Sequence, residues 1–238
     1  MALTRIVGDI HGSFNEYSFY TLGVGRLRHT MTELAPLDRS IQVGDFGIGF
    51  YTPYWHESVR DWMKANPGHR FIRGNHDDPA MVKTMPGYIE DGTVEDGVML
   101  IGGAWSIDHE YRTAGLDWWP DEELSVQELE KMIDIYRVTK PRVMITHDCP
   151  TQIAWDMFIS RGNGWSNGIQ VKTRTAEALQ AMFEIHQPEF HFFGHWHQTR
   201  DLTVNGTRFV CLGELDHVDV DLTDSEITHK MLDERFSK

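Results

Sequence analysis

The sequence predicts a layered α/β fold containing mixed β-sheets, in a single domain spanning residues 1–238. Three observations predict it. Short apolar runs recur along the chain and each closes on Gly, His or Asp. Stretches with helical period lie between them. Asp96-Gly97 and Asn205-Gly206 sit between apolar stretches and mark tight hairpin turns. No fixed-period repeat, heptad run or Pro/Ser-rich linker interrupts the chain, so two tethered domains are not indicated.

Taken in order, the apolar runs are RIVGDIHG (5–12), SIQVGDFG (40–47), RFIRGNHD (70–77), VMLIGGAWSID (98–108), RVMITHD (142–148), FHFFGHWH (190–197) and RFVCLGELD (208–216). Four to six apolar or β-branched residues ended by a polar cluster is the pattern of a strand buried on both faces. Helical period places helices within 16–35, 54–66, 125–138 and 173–187. In the third, Ser125 and Glu128 form a capping box, and Leu129, Met132, Ile133 and Tyr136 share one face. The stretch 160–172, SRGNGWSNGIQVK, has no period; it reads as a surface loop, with a substrate-covering loop as the alternative.

Composition narrows the function. Apolar residues at 40% and charged residues at 24% describe a globular chain with a real core, not a disordered one. The net charge of −14 weighs against a broad basic face for nucleic acid, because phosphate neutralisation needs clustered Lys and Arg. Cys149 and Cys211 are the only cysteines, too few for a disulfide framework, and no stretch approaches a signal core or a membrane span. A cytoplasmic protein is expected.

Thirteen histidines stand out, and their placement gives them meaning. Five of the expected strands end in metal-competent residues: Asp9 and His11, Asp45, Asn75 and His76, His147, then His195 and His197. Ligands of open α/β sheets bind at the carboxyl ends of strands, so these residues are expected to converge. Carboxylate and amide oxygen together with imidazole suit a pair of divalent cations. Manganese is the first expectation, with iron, zinc, nickel or cobalt as alternatives, while the lack of Cys clusters weighs against structural zinc or iron–sulfur. One carboxylate has two oxygens and can bridge both ions. Such a pair, ~3.5–4 Å apart, can bind a phosphoryl group and acidify a shared water.

The ordered set GDIHG, VGD, GNHD, THD and GHWH resembles the calcineurin-like metallophosphoesterases, whose signature is D-x-H, GD, GNH followed by Asp or Glu, a lone His, and GHxH. The resemblance runs from Asp9 to His197. It implies a four-layer α/β-β/α sandwich of two mixed sheets with a dinuclear metal site at the strand ends. Carried over, Asp9, His11, Asp45 and His197 would hold one ion, and Asp45, Asn75, His147 and His195 the other, with Asp45 as the bridge. His76 would lie near the leaving group, as general acid or as stabiliser of developing charge. The implied reaction is hydrolysis of a phosphate ester by a metal-bridging hydroxide, which leaves no catalytic role for Cys149.

Departures from the pattern matter too. Protein Ser/Thr phosphatases of this family continue the second motif as GDxxDRG, whereas this chain reads GDFGIGF from Gly44 to Phe50, without the phosphate-binding Arg or the Asp that orients the catalytic His. RGNHD at 73–77 does resemble their third motif. A substrate-binding Arg must then come from elsewhere. Arg112 with Asp108 in GGAWSIDHEYR is the preferred candidate and Arg161 the second. Asp77 or Asp78 could orient His76, although capping is their more ordinary job. Trp118 and Trp119 read as a packed hydrophobic wedge. His29, His56, His69, His186, His191, His217 and His229 match no motif position and read as structural or exposed. The expected partner is a small phosphoester such as a nucleotide or cyclic nucleotide; a phosphoprotein phosphatase and a non-catalytic scaffold are the alternatives.

Overall fold

The computed structural model describes residues 3–14, 31–32, 38–160 and 171–237. Its strands, in chain order, are β1 (Thr4–Val7), β2 (Ser40–Gln42), β3 (His69–Phe71), β4 (Thr93–Glu95), β5 (Val98–Ile101), β6 (Val143–Thr146), β7 (Phe190–Phe193), β8 (Arg200–Val204), β9 (Thr207–Cys211) and β10 (His217–Val220). The α-helices are α1 (Pro53–Ala65), α2 (Pro79–Val82), α3 (Val126–Thr139), α4 (Thr151–Ala154), α5 (Arg174–Ile185) and α6 (Ser225–Phe236).

Strand alternation decides the layering. In β1, Ile6 and Val7 point to opposite faces and enter different cores, as the period of two requires. Ile6 joins Ile41, Leu100, Val143, Ile145, Phe190, Phe192 and Val218 in a core shared by two sheets. Val7 instead packs with Phe71 beneath Trp55, Val59 and Met63 of α1. On the far side, Met99, Ile101 and Met144 meet Leu129, Met132 and Tyr136 of α3 and Leu179 and Met182 of α5. The stack is therefore helix, sheet, sheet, helix, the four-layer α/β-β/α sandwich.

One sheet has the order β10-β1-β2-β3, parallel except for β10; the other has the order β4-β5-β6-β7-β9-β8, parallel except for its edges β4 and β8. Both antiparallel edges of the larger sheet are hairpins. Asp96 and Gly97, at φ 49° and 77°, join β4 to β5, and Asn205 and Gly206, at 50° and 86°, join β8 to β9. Two consecutive left-handed residues are what a tight hairpin needs, hence the Asp-Gly and Asn-Gly pairs.

Three of the expected helices form within a residue or two of their expected ends. Ser125 accepts from the Glu128 amide at 3.3 Å while Glu128 Oε2 accepts from the Ser125 amide at 2.9 Å, completing the capping box of α3. The expected helix 16–35 lies mostly outside the described residues. Among the described residues no helix is long and apolar enough to cross a membrane, and both cysteines are buried and free.

Candidate metal centre

Parallel strands of both sheets deliver their carboxyl ends to one place, and the loops there abut tightly. A Cβ on Gly74 would lie 2.1 Å from Asp45 Oδ1, and one on Gly194 would lie 2.2 Å from Asp9 Oδ1. Glycine before Asn75 and before His195 is thus the condition for the loops to meet. Asp77 ties two of them together: its carboxylate accepts from the backbone amides of Phe46 (3.0 Å), Gly47 (2.7 Å), Ile48 (2.9 Å) and Gly74 (2.8 Å). Four of the converging residues, His11, Asp45, His195 and His197, have left-handed backbones with φ between 42° and 65°.

The convergence forms two sets of donors. In the first, His197 Nε2 lies 3.3 Å from Asp9 Oδ2 and 3.0 Å from His11 Nε2, which is 3.6 Å from Asp45 Oδ2. The ligand atoms of Asp9, His11, Asp45 and His197 all lie within 4.8 Å of one another. In the second, Asn75 Oδ1 is 3.0 Å from His147 Nε2 and 2.9 Å from His195 Nδ1, and His147 Nε2 is 3.2 Å from Asp45 Oδ1. Asp45 therefore presents one oxygen to each set. Second contacts fix several of these groups. His147 Nδ1 donates to the Val43 carbonyl at 2.8 Å, and Asp9 accepts from the His195 amide at 3.0 Å.

The donor chemistry fits divalent cations. Two ligands each ~2.1 Å from one ion and at right angles to it stand ~3 Å apart, which is the spacing within both sets. Electrostatics agree. Burial raises the Asp45 carboxyl, but His147, His76 and His11 beside it more than reverse this and hold it well below the ordinary carboxylate range. Burial works against the charged form of His197, yet the hydrogen bond and charge of Asp9 push it up to about 9; His147 is likewise raised, chiefly by Asp45. Protons stand where cations would compensate the same carboxylates.

His76 sits at the edge of this cluster. Its amide donates to Asp45 Oδ1 at 2.7 Å, its ring stacks on Phe50 with centroids 5.6 Å apart, and Arg112 Nη2 lies 3.2 Å from its Nε2. Burial first, then the neighbouring His11 and Arg112, bring its pKa down to about 4. Arg112 is itself held by Asp108 through two 2.7 Å bonds. The pair Asp108–Arg112, and not Asp77 or Asp78, is what meets the His76 ring. Asp77 serves the loops, and Asp78 caps α2 by accepting from Ala80 and Met81 amides.

A cavity of about 240 Å³ opens beside the cluster, with Trp105, Ile107, Val171 and Trp196 on its apolar wall and Arg112, Asp108 and Asp148 as its charges. Arg161 lies outside the described residues. Arg73, from the RGNHD motif, is turned away: it is buried, donating to Asp91 Oδ2 at 2.9 Å and to the Glu122 carbonyl at 2.7 Å. Trp119 is a buried wedge edge-on to Phe50. Of the remaining histidines, His56, His69, His186 and His191 make internal hydrogen bonds to Thr52, Ser40, Pro141 and Thr146. Sequence reading missed Glu214, whose carboxylate lies 3.3 Å from His197 Nδ1. It ends the seventh apolar run, so the strand-end rule that found the others also pointed there.

The sandwich, with its Asp/His cluster at the strand ends, is similar in fold to several solved structures. A Staphylococcus aureus protein provisionally assigned as a 5′-nucleotidase aligns over 95% of this chain at 13% identity with a TM-score of 0.51; the chain spans 52%, about half, of that protein. Phosphopantetheinyl hydrolase (PptH) from Mycobacterium tuberculosis aligns over 90% of both chains at 14% identity and a TM-score of 0.41. A conserved Streptococcus pneumoniae protein described as a predicted phosphoesterase aligns over 93% of this chain and 85% of its own at 13% identity and a TM-score of 0.34. No family model and no curated protein sequence matches the chain.

Proposed function

We propose that the protein is a phosphoesterase that uses two divalent ions, manganese first among them, to hydrolyse a compact phosphate ester. Asp9, His11, Asp45 and His197 would hold one ion and Asp45, Asn75, His147 and His195 the other. The observation that carries this is Asp45, whose Oδ2 faces His11 and whose Oδ1 faces His147, joining two donor sets of ligand-like spacing. When bound, the ions supply Lewis acidity toward phosphoryl oxygens and an acidified water.

The chain supplies the rest. His76, fixed by Asp45, Phe50 and Arg112, stands where a leaving oxygen departs, with the Arg112 guanidinium beside it to balance developing charge. The wall of Trp105, Ile107 and Trp196 receives the apolar part of the leaving group. A cavity of about 240 Å³ is small and favours a compact ester, a nucleotide or cyclic nucleotide in our reading, over a phosphoprotein segment, and the net charge of −14 disfavours nucleic-acid polymers. Two free, buried thiols fit a reducing compartment such as the cytoplasm.

The test is hydrolysis of p-nitrophenyl phosphate and bis-p-nitrophenyl phosphate by metal-stripped protein reconstituted in turn with Mn, Ni, Zn, Co and Mg. Metal-restored turnover is expected, and the ratio between esters separates monoesterase from diesterase. Two bound ions with no turnover of either ester, or of a nucleotide panel, would turn the reading toward a scaffold.

A further inference from the structure

Asn75 is the one amide among the carboxylates and imidazoles of the cluster, and an amide can face its site either way round. Turned correctly it offers oxygen; flipped, it offers N–H groups that repel a cation. Its Nδ2 lies 3.0 Å from Ser106 Oγ, and Ser106 Oγ lies 2.5 Å from Glu122 Oε2, while Glu122 Oε1 accepts from the Ser106 amide at 2.8 Å. All three residues are buried, at 4%, 2% and 3% exposure.

With Glu122 ionised, the polarity of this chain is set from its far end. Burial raises the Glu122 carboxyl, while the Ser106 amide donating to its Oε1 favours the ionised form; so ionised, it only accepts, and the Ser106 hydroxyl gives its proton to Oε2. Having donated, Ser106 Oγ has only lone pairs left for Asn75, so the amide must present its NH₂ to Ser106 and its oxygen to His147 and His195. Neither Ser106 nor Glu122 touches the donor cluster otherwise. We infer that Ser106 and Glu122 are positioning residues that lock the Asn75 amide with its oxygen toward the second ion. This rests on the dinuclear reading above and adds two residues to it.

The experiment is calorimetric titration of Mn²⁺ into the metal-free full chain, reading the number of ions and the affinity of each, without any assay of turnover. Wild type should take up two ions. Ser106→Ala and Glu122→Gln should each weaken one of them by about 10- to 100-fold and leave the other within twofold, the range known for partners that orient ligands. An Asn75→Asp background supplies the control, because a carboxylate has oxygen at both ends and needs no orientation. There Ser106→Ala should weaken affinity by less than twofold, or strengthen it by removing lone pairs that face the new carboxylate. If Ser106→Ala weakens binding equally in both backgrounds, the hydroxyl acts through packing and the proposal falls. Two ions bound with unchanged affinities in both single variants overturns the proposal alone; a wild type that takes up one ion or none overturns the dinuclear reading and the proposal with it.

Discussion

Asp45 joins three contacts in one side chain, since each of its oxygens faces a different donor set and Oδ1 also holds the His76 amide. Asp45→Asn keeps the shape but removes the charge, so ion uptake should fall and turnover should be abolished, read by metal analysis alongside ester hydrolysis. His76→Ala is different: both ions should remain while turnover drops by about 10²–10⁴-fold, most steeply for esters with poor leaving groups. A flat dependence on leaving group would remove that role from His76. At this scale the converging donors were legible because Asp, Asn and His recur at strand ends. Glu214 followed the same strand-end rule but was passed over, whereas Ser106 and Glu122 were not legible, because Ser and Glu occur everywhere and only the chain from Asn75 through Ser106 to Glu122 gives them meaning.

Elements were legible where period and punctuation agreed. The α3 helix announced itself by Ser125, Glu128 and the stripe of Leu129, Met132 and Tyr136, and Ser125→Ala should destabilise the fold by ~1 kcal/mol in urea unfolding. The α6 helix gave no such stripe, burying only Thr228 and Leu232, and escaped notice. Within β7, His191 is wholly buried with its Nε2 2.7 Å from Thr146 Oγ1, and burial brings its pKa down to about 3. The native state thus keeps it neutral while the unfolded chain protonates it near pH 6.5. Its contribution is complete above pH 6.5 and is lost as the pH falls toward 3, by ~1.4 kcal/mol per pH unit. Between pH 6.5 and 5 the wild type should lose about 2 kcal/mol that His191→Phe does not lose; parallel urea curves for the two would refute this.

On the scale of the whole molecule, the cluster straddles the seam between the sheets. Asp9, Asp45 and Asn75 follow strands of the smaller sheet, whereas His147, His195 and His197 follow strands of the larger. Bound ions would clamp the two halves of the sandwich. At an ion concentration one hundred times the Kd, each site adds ~2.7 kcal/mol, which for a chain of this size raises Tm by about 5–10 °C. A melting curve unmoved by chelator and by added Mn²⁺ would contradict the clamp. A layered α/β fold with mixed sheets was readable from alternating strands and helices, and its four layers only through the family resemblance, but the pocket was not: its wall comes from positions 105, 107, 171 and 196, which only the closed fold brings together.

The left-handed backbones at His11, Asp45, His195 and His197 have a consequence for descent. Each such residue carries ~1–2 kcal/mol of conformational strain that glycine would not. On the proposed reading, the demand for a donor atom is what keeps a side chain there. A lineage released from that demand should drift at these four positions to glycine sooner than to alanine, gaining durability as it loses chemistry. Glycine at 11, 45, 195 or 197 in a homologous sequence would then mark a retired enzyme, and alanine outnumbering glycine among such homologues would show that the strain is too small for selection to register.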